Sequence, residues 1–246
     1  MRAVEKQKQP LHVGGRGFSA AKNLQIEKVS SIDGLFEVWR GNNSATAILH
    51  TAKKLNIGLD RLGNSSEEIN ENIGRASFKL SRKDRGYCEP IYAVSSMIIA
   101  HNDLDTAKWL ITEMSSNIDE KNVKKHLTNI SNIMDAAKEF GLTTKQLGSI
   151  RSESTADEII RVATNPKHKY PKNGVVMVMI GQKAENLVDV VLKNIIEKCT
   201  GSELFDLGSS IRGRVHKRRI SVENAEILLK AIEKRIDRLW MAPSEP

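Results

Sequence analysis

Between about residues 29 and 240, apolar positions recur every three to four residues, the spacing of helices that bury one face. Ile69, Ile73, Ala76, Phe78 and Leu80 form one such stripe. It is opened by Ser65-Ser66-Glu67-Glu68, whose hydroxyls and carboxylates can satisfy the unpaired N–H groups of a first turn. Before it, Ser44 caps an expected helix from about Ala45 to Asn56, with Ala47, Ile48, Ala52 and Leu55 on one face and Gly58 beyond its end. The shorter patch from Ile32 to Trp39 fits either a helix or a strand. Pro90 starts a helix in which Ile91, Val94, Met97, Ile98 and Ile99 are almost continuous, the mark of a central, buried element. A turn at His101-Asn102-Asp103 leads to its antiparallel partner, capped by Asp103 or Asp105 and carrying Ala107, Trp109, Leu110, Ile111 and Met114. A long helix from about Asp119 to Phe140 follows. Another, capped by Ser154 or Thr155, carries Ile159, Ile160 and Val162.

The pattern changes after residue 164. Asn165 to Asn173 (NPKHKYPKN) contains two prolines and reads as a loop, the best place for an internal boundary. Gly174 to Gly181 (GVVMVMIG) is rich in β-branched residues and is expected to be a strand, with the first turns of a long buried helix as the alternative. A helix from about Lys183 to Cys199 comes next. Ser221 then caps a clean stripe through Val222, Ala225, Leu228, Leu229, Ile232, Ile236 and Leu239 to Trp240, which either closes the core or pairs with a second subunit. The expected fold is therefore mostly α, a helical bundle with at most a minor β element near residues 174–181. Three parts are distinguished. Residues 1–28, with Pro10, Gly14, Gly15 and Gly17, form a flexible basic N-terminal arm; 29–164 form a helical core domain; 174–240 form a C-terminal helical segment.

Composition narrows the function more than the fold. Only 4% of the 246 residues are aromatic, so aliphatic side chains must do the packing, which suits helices. The formal net charge of +8 favours anionic partners, nucleic acid first among them. Cys88 and Cys199 form no CxxC pair, and the six histidines have no ligand-spaced partners, so no metal site or disulfide framework is expected. Cys88 lies before Pro90 at a helix start, where a thiol pKa can be lowered, but no histidine is tied to it. No catalytic residue and no cofactor are assigned, and the chain is not read as an enzyme. With no apolar run of about 18 residues and no apolar N-terminal segment, a cytoplasmic protein without a membrane partner is expected.

The positive charge is clustered. Beyond the N-terminal arm it gathers in Arg75, Lys79, Arg82, Lys83 and Arg85; in Lys167, Lys169 and Lys172; and in Arg212, Arg214, Lys217, Arg218 and Arg219. Each cluster has a plain reading as a solvated charge run and a functional one as a set of phosphate contacts.

One stretch suggests a more specific task. In Ile133 to Ser152 (IMDAAKEFGLTTKQLGSIRS), Ala137 stands four residues before Gly141-Leu142, and Leu147 and Ile150 follow in register. Small residue, turn glycine and later apolar residues are what two short, steeply crossed helices need. The stretch resembles the helix-turn-helix families of bacterial transcription regulators and sigma factors. That resemblance covers about twenty residues. It implies a recognition helix from about Thr144 to Ser152 in the major groove, presenting Thr144, Lys145, Gln146, Ser149 and Arg151. Gly148 departs from the pattern, since a glycine inside a helix costs about 1 kcal/mol relative to alanine. An ordinary helical hairpin with Gly141 as its C-cap is the alternative.

Three functions follow from these readings. The first is a DNA-binding transcriptional regulator using the helix-turn-helix-like stretch. The second is a structural RNA-binding protein, of viral nucleocapsid or packaging type, that oligomerises through its C-terminal helix. The third is a helical interaction scaffold whose charge serves solubility alone.

Overall fold

The computed structural model describes residues 29–82, 86–101, 104–148 and 152–241. Among them the chain forms eleven α-helices and no strand. These are α1 (Ile32–Val38), α2 (Asn43–Lys54), α3 (Ser66–Ser81), α4 (Pro90–His101), α5 (Leu104–Ser116), α6 (Lys121–Glu139), α7 (Ser152–Ala163), α8 (Pro171–Gly181), α9 (Leu187–Val190), α10 (Gly201–His216) and α11 (Val222–Met241). The fold is mostly α, as its apolar spacing dictates.

Two helices are buried on every side and the rest pack around them. In α4 each residue from Ile91 to Ile99 is buried, and in α8 each residue from Asn173 to Ile180. α4 is covered by α2, α3, α5 and α7, and α8 by α6, α7 and α10. α7 touches both, so it joins the two halves. One hydrophobic cluster runs from Leu35 of α1 to Ile232 of α11, crossing the loop at 164–170.

The expected strand at Gly174–Gly181 is instead the helix α8. Pro171 occupies the first turn, where its missing N–H has no partner to lose. An apolar run buried on all sides carries no period, so strand and buried helix look alike in sequence. The alternative reading, the start of a buried helix, has the right geometry here. Gly174 has a packing role: a Cβ there would lie 2.8 Å from Ile133 Cγ1 of α6, so the two helices cross closely. Buried Asn173 ties α8 to α10 through its Nδ2, which donates to Glu203 O (3.1 Å) and Asp206 Oδ2 (2.8 Å).

Helix boundaries moved where a competing cap was available. α2 is capped by Asn42, whose side chain accepts from the Ala45 N–H, rather than by Ser44. α7 begins at Ser152, so Ser154 and Thr155 lie inside it. The expected helix from Lys183 to Cys199 is broken: α9 covers four residues, then widens into a π turn (Val191–Ile195) and tightens into a 3-10 turn (Ile196–Lys198). α10 was not anticipated. Gly201, Gly208 and Gly213 hide its weak stripe of Leu204, Leu207 and Ile211, and its start rests on a capping box between Thr200 and Glu203. Asp157 of α7 anchors the junction with α3 and α4. It accepts from Tyr87 Oη and from Ser96 Oγ (2.6 Å) and pairs with Lys79.

No helix among the described residues is long and apolar enough to cross a membrane. Among the same residues, no group of three or more His, Cys, Asp or Glu side chains could hold a metal ion. Partial burial and the Glu89 carboxylate raise the Cys88 thiol pKa, the reverse of the lowering that its place before Pro90 suggested.

Candidate nucleic-acid interface

The stretch from Ile133 to Ser152 begins as the end of α6 and continues as a turn. After Phe140, Gly141 adopts φ +68°. Its N–H donates to Lys138 O (2.8 Å) and the next N–H, of Leu142, to Ala137 O (2.9 Å). This is the left-handed helix end for which glycine is the usual residue. Thr143 and Gln146 then cap each other: the Gln146 N–H donates to Thr143 Oγ1 (3.3 Å), and the Thr143 N–H to Gln146 Oε1 (2.8 Å).

The described residues 144–147 form a single turn, and the next helix starts at Ser152. The helix expected from Thr144 is thus absent over 144–148. Ser149 and Arg151 lie outside the described residues. Thr144, expected on the exposed side, is buried, while Lys145 and Gln146 are exposed. Leu147 is fully buried. Gly148 lies against the end of α8, where a Cβ would come within 2.7 Å of Gln182 Cβ and 2.9 Å of Thr155 Oγ1. The glycine that departs from the helix-turn-helix pattern therefore serves close packing.

The basic clusters meet elsewhere. Arg75 is half-buried and donates to Asn72 Oδ1 (2.5 Å), whose own Nδ2 holds Leu62 O (2.7 Å). Arg82, the C-cap of α3, is exposed, with its guanidinium 5.2 Å over the Phe78 ring. Lys83 and Arg85 lie outside the described residues. The chain returns at Gly86, φ +91°, which rests on α7: a Cβ there would lie 3.3 Å from the backbone of Arg161. Arg161 pairs with Glu158, its Nε donating at 2.5 Å, and this raises its pKa further.

Beside Arg161 comes Arg214 of α10. Burial first, then the neighbouring Arg161 charge, lowers the pKa of Arg214. Its Nη2 donates to His168 Nε2 at 3.4 Å. Arginine can only donate, so His168 accepts at Nε2 and stays neutral. Burial, Arg214 and Arg161 together push its pKa down to about 4, against a weaker pull from Asp206. Lys167 and Lys169 flank His168 and are exposed. The loop after α3, the loop before α8 and the end of α10 are thus joined around Arg161. The fourth basic region, residues 1–28, lies outside the described residues.

Arg161 was missed as a site residue because an isolated arginine on an amphipathic helix carries no sequence signal. Arg212 points toward α11, 3.8 Å from Glu233. Lys217, Arg218 and Arg219 are exposed at the end of α10.

A cavity of about 570 Å3 opens between the ends of α8 and α10 and the start of α11. Two of its cations, Lys183 and Arg218, each adopt φ +52°. Each closes a helix as Gly141 does: Lys183 N–H to Ile180 O (3.2 Å) with Ala184 N–H to Met179 O (2.9 Å), and Arg218 N–H to Val215 O (2.8 Å) with Arg219 N–H to Arg214 O (2.9 Å). Arg219 also lines the cavity, with Val215 and exposed Val222 as apolar walls over buried Ile180, Leu187 and Ile220, and Glu185 as its acid. Ser221 caps α11, its Oγ accepting from the Asn224 N–H (3.2 Å). Lys183 was missed because nothing in the sequence marks a lysine with positive φ. At the far end of α11, whose stripe is expected to close the core or, as the alternative, to pair with a second subunit, Leu239, Trp240 and Met241 are exposed.

No family model matches the chain, and neither a curated protein nor a solved structure matches it.

Proposed function

We propose that the protein binds nucleic acid chiefly through phosphate contacts, with little dependence on sequence. The observation that carries this reading is the junction at Arg161, where Gly86 packs on its backbone and Arg214 links its helix to His168. It brings the loop that carries Lys167 and Lys169 and the end of α10 to one helix. A surface that carries exposed Arg82, Lys167, Lys169, Lys217, Arg218 and Arg219 favours a polyanion, and phosphates supply the charge at short, regular spacing. A regulator reading bases through residues 133–152 is less well supported. Of its five candidate side chains, Thr144 is buried, and the Gln146 carbonyl is occupied by Thr143.

The test is a titration of the full chain with duplex DNA and single-stranded RNA across a series of salt concentrations. Phosphate-dominated binding gives a straight, steep fall of log affinity with log salt. Lys167→Ala/Lys169→Ala should lower affinity for every sequence alike and reduce the salt slope by about one per lost contact. Lys145→Ala/Gln146→Ala should change little. Loss of discrimination between DNA sequences in the second variant would favour the regulator. Absence of binding at physiological salt would leave a helical scaffold.

A further inference from the structure

We infer that the cavity between α8, α10 and α11 holds one unpaired nucleotide of a single-stranded nucleic acid, its phosphate on Lys183, Arg218 and Arg219 and its base against the aliphatic wall. The inference rests on the proposed nucleic-acid binding and narrows it to single strands.

Size and lining argue for it. The volume, about 570 Å3, falls within the range of about 300–1,000 Å3 usual for small-ligand sites. Lys183, Arg218 and Arg219 line it, and exposed Val222 with half-buried Val215 supply an apolar wall backed by buried Ile180, Leu187 and Ile220. A duplex offers phosphates on a convex ridge and keeps its bases stacked inside. It could meet the cations but leave the wall uncovered. An unpaired nucleotide offers both a phosphate and an apolar base face. Among the described residues no aromatic side chain lines the cavity, so the base is held by aliphatic contact, which discriminates weakly among bases.

The backbone sets two of these cations apart. Lys183 and Arg218 occupy left-handed positions at the ends of different helices, where glycine is the residue of least strain. Both side chains nevertheless reach the same cavity. Glu185 opposes the anion, and its removal should tighten binding.

The experiment compares wild type, Lys183→Gly/Arg218→Gly, Lys167→Ala/Lys169→Ala and Glu185→Gln, all as full chains. Ligands are 12-nucleotide single strands of RNA and of DNA, and a 12-base-pair duplex. Glycine fits both backbone positions, so the double variant should fold, and its thermal melt checks this. Wild type should bind single strands at least tenfold more tightly than duplex. The glycine variant should lose that tenfold preference, with the salt slope for single strands falling by about 0.7 per lost contact. Glu185→Gln should bind single strands more tightly. RNA and DNA strands binding alike would mean that phosphate and base suffice; a preference for RNA would add the 2′-hydroxyl to the contacts. If wild type binds duplex as well as single strands, or the glycine variant loses no more than Lys167→Ala/Lys169→Ala, the cavity is not the site and the broader phosphate-binding reading stands. If wild type binds neither, both readings fall.

Discussion

Among the helix ends that close with the same pair of hydrogen bonds, those of α6 and α10 lead to opposite surroundings. At the end of α6, Gly141 takes φ +68° and the chain passes into a turn whose Thr144, Leu147 and Gly148 are buried. At the end of α10, Arg218 takes φ +52° and the chain passes along an open cavity. The first end uses the residue that backbone geometry prefers; the second carries a bulky cation in the same geometry. A left-handed conformation disfavours any side chain with a Cβ, so the arginine stands there against its local preference. Departures of this kind concentrate at functional sites. The turn with the stronger sequence motif is thus the packed one, and the end with only charge to recommend it is the accessible one.

If the first turn is truly a packing element, its interior should be intolerant. Gly148→Val would place a branched side chain where even a Cβ meets Gln182 at 2.7 Å and Thr155 at 2.9 Å. Overpacking of this kind costs about 1–3 kcal/mol, read as a lower urea midpoint. An unchanged midpoint would mean that the turn is loosely held, and the contrast with the α10 end would lose its basis.

A smaller pair of changes should move in opposite directions. Gly141→Ala has space for its methyl group but must adopt φ +68°, so it should lose about 1 kcal/mol from backbone strain alone. Arg218→Gly relieves that strain while giving the unfolded chain more freedom. The balance should be neutral to a gain of up to about 1 kcal/mol. Paired denaturation curves measure both signs. A clear loss for Arg218→Gly would show that the arginine is there for stability, and the functional contrast would fail.

Legibility divides along the same line. Amphipathic helices such as α3 and α6 were readable because a one-sided stripe has a period. α8 reads as a strand in the sequence because burial on all sides removes that period and leaves only β-branched composition. α10 went unread because three glycines and a serine pair dilute its stripe. Of the candidate site, the cations at 167–169 and 212–219 were visible as clusters, since charge density is local in sequence. Their meeting at Arg161 was not, because it depends on how α7 lies between two buried helices. Lys183 was invisible for another reason: a positive φ at lysine is dictated by the helix end it closes, whereas at Gly141 the residue type announces it.

An effect that appears only on acidification tests the junction itself, on which the basic side of the comparison depends. His168 titrates near 6.5 in an unfolded chain and is pushed down to about 4 in the fold by burial and by Arg214 and Arg161. Between those values the unfolded chain binds a proton that the folded chain does not. The contribution of neutral His168 to stability is therefore complete above about pH 6.5 and is lost as pH falls toward 4. His168→Gln removes the titration and keeps a carbonyl that can accept from Arg214. Carboxylates elsewhere add their own slope in the same range, so the informative quantity is the difference between variant and wild type in urea midpoint at pH 7, 5.5 and 4.5. The variant should lose less stability than wild type on acidification, with the curves parallel above about pH 6.5. Parallel curves throughout would mean that His168 is solvated and not held against Arg214. The loop carrying Lys167 and Lys169 would then be detached from the end of α10, and the cations would be a scattered set with no common surface to offer a phosphate backbone.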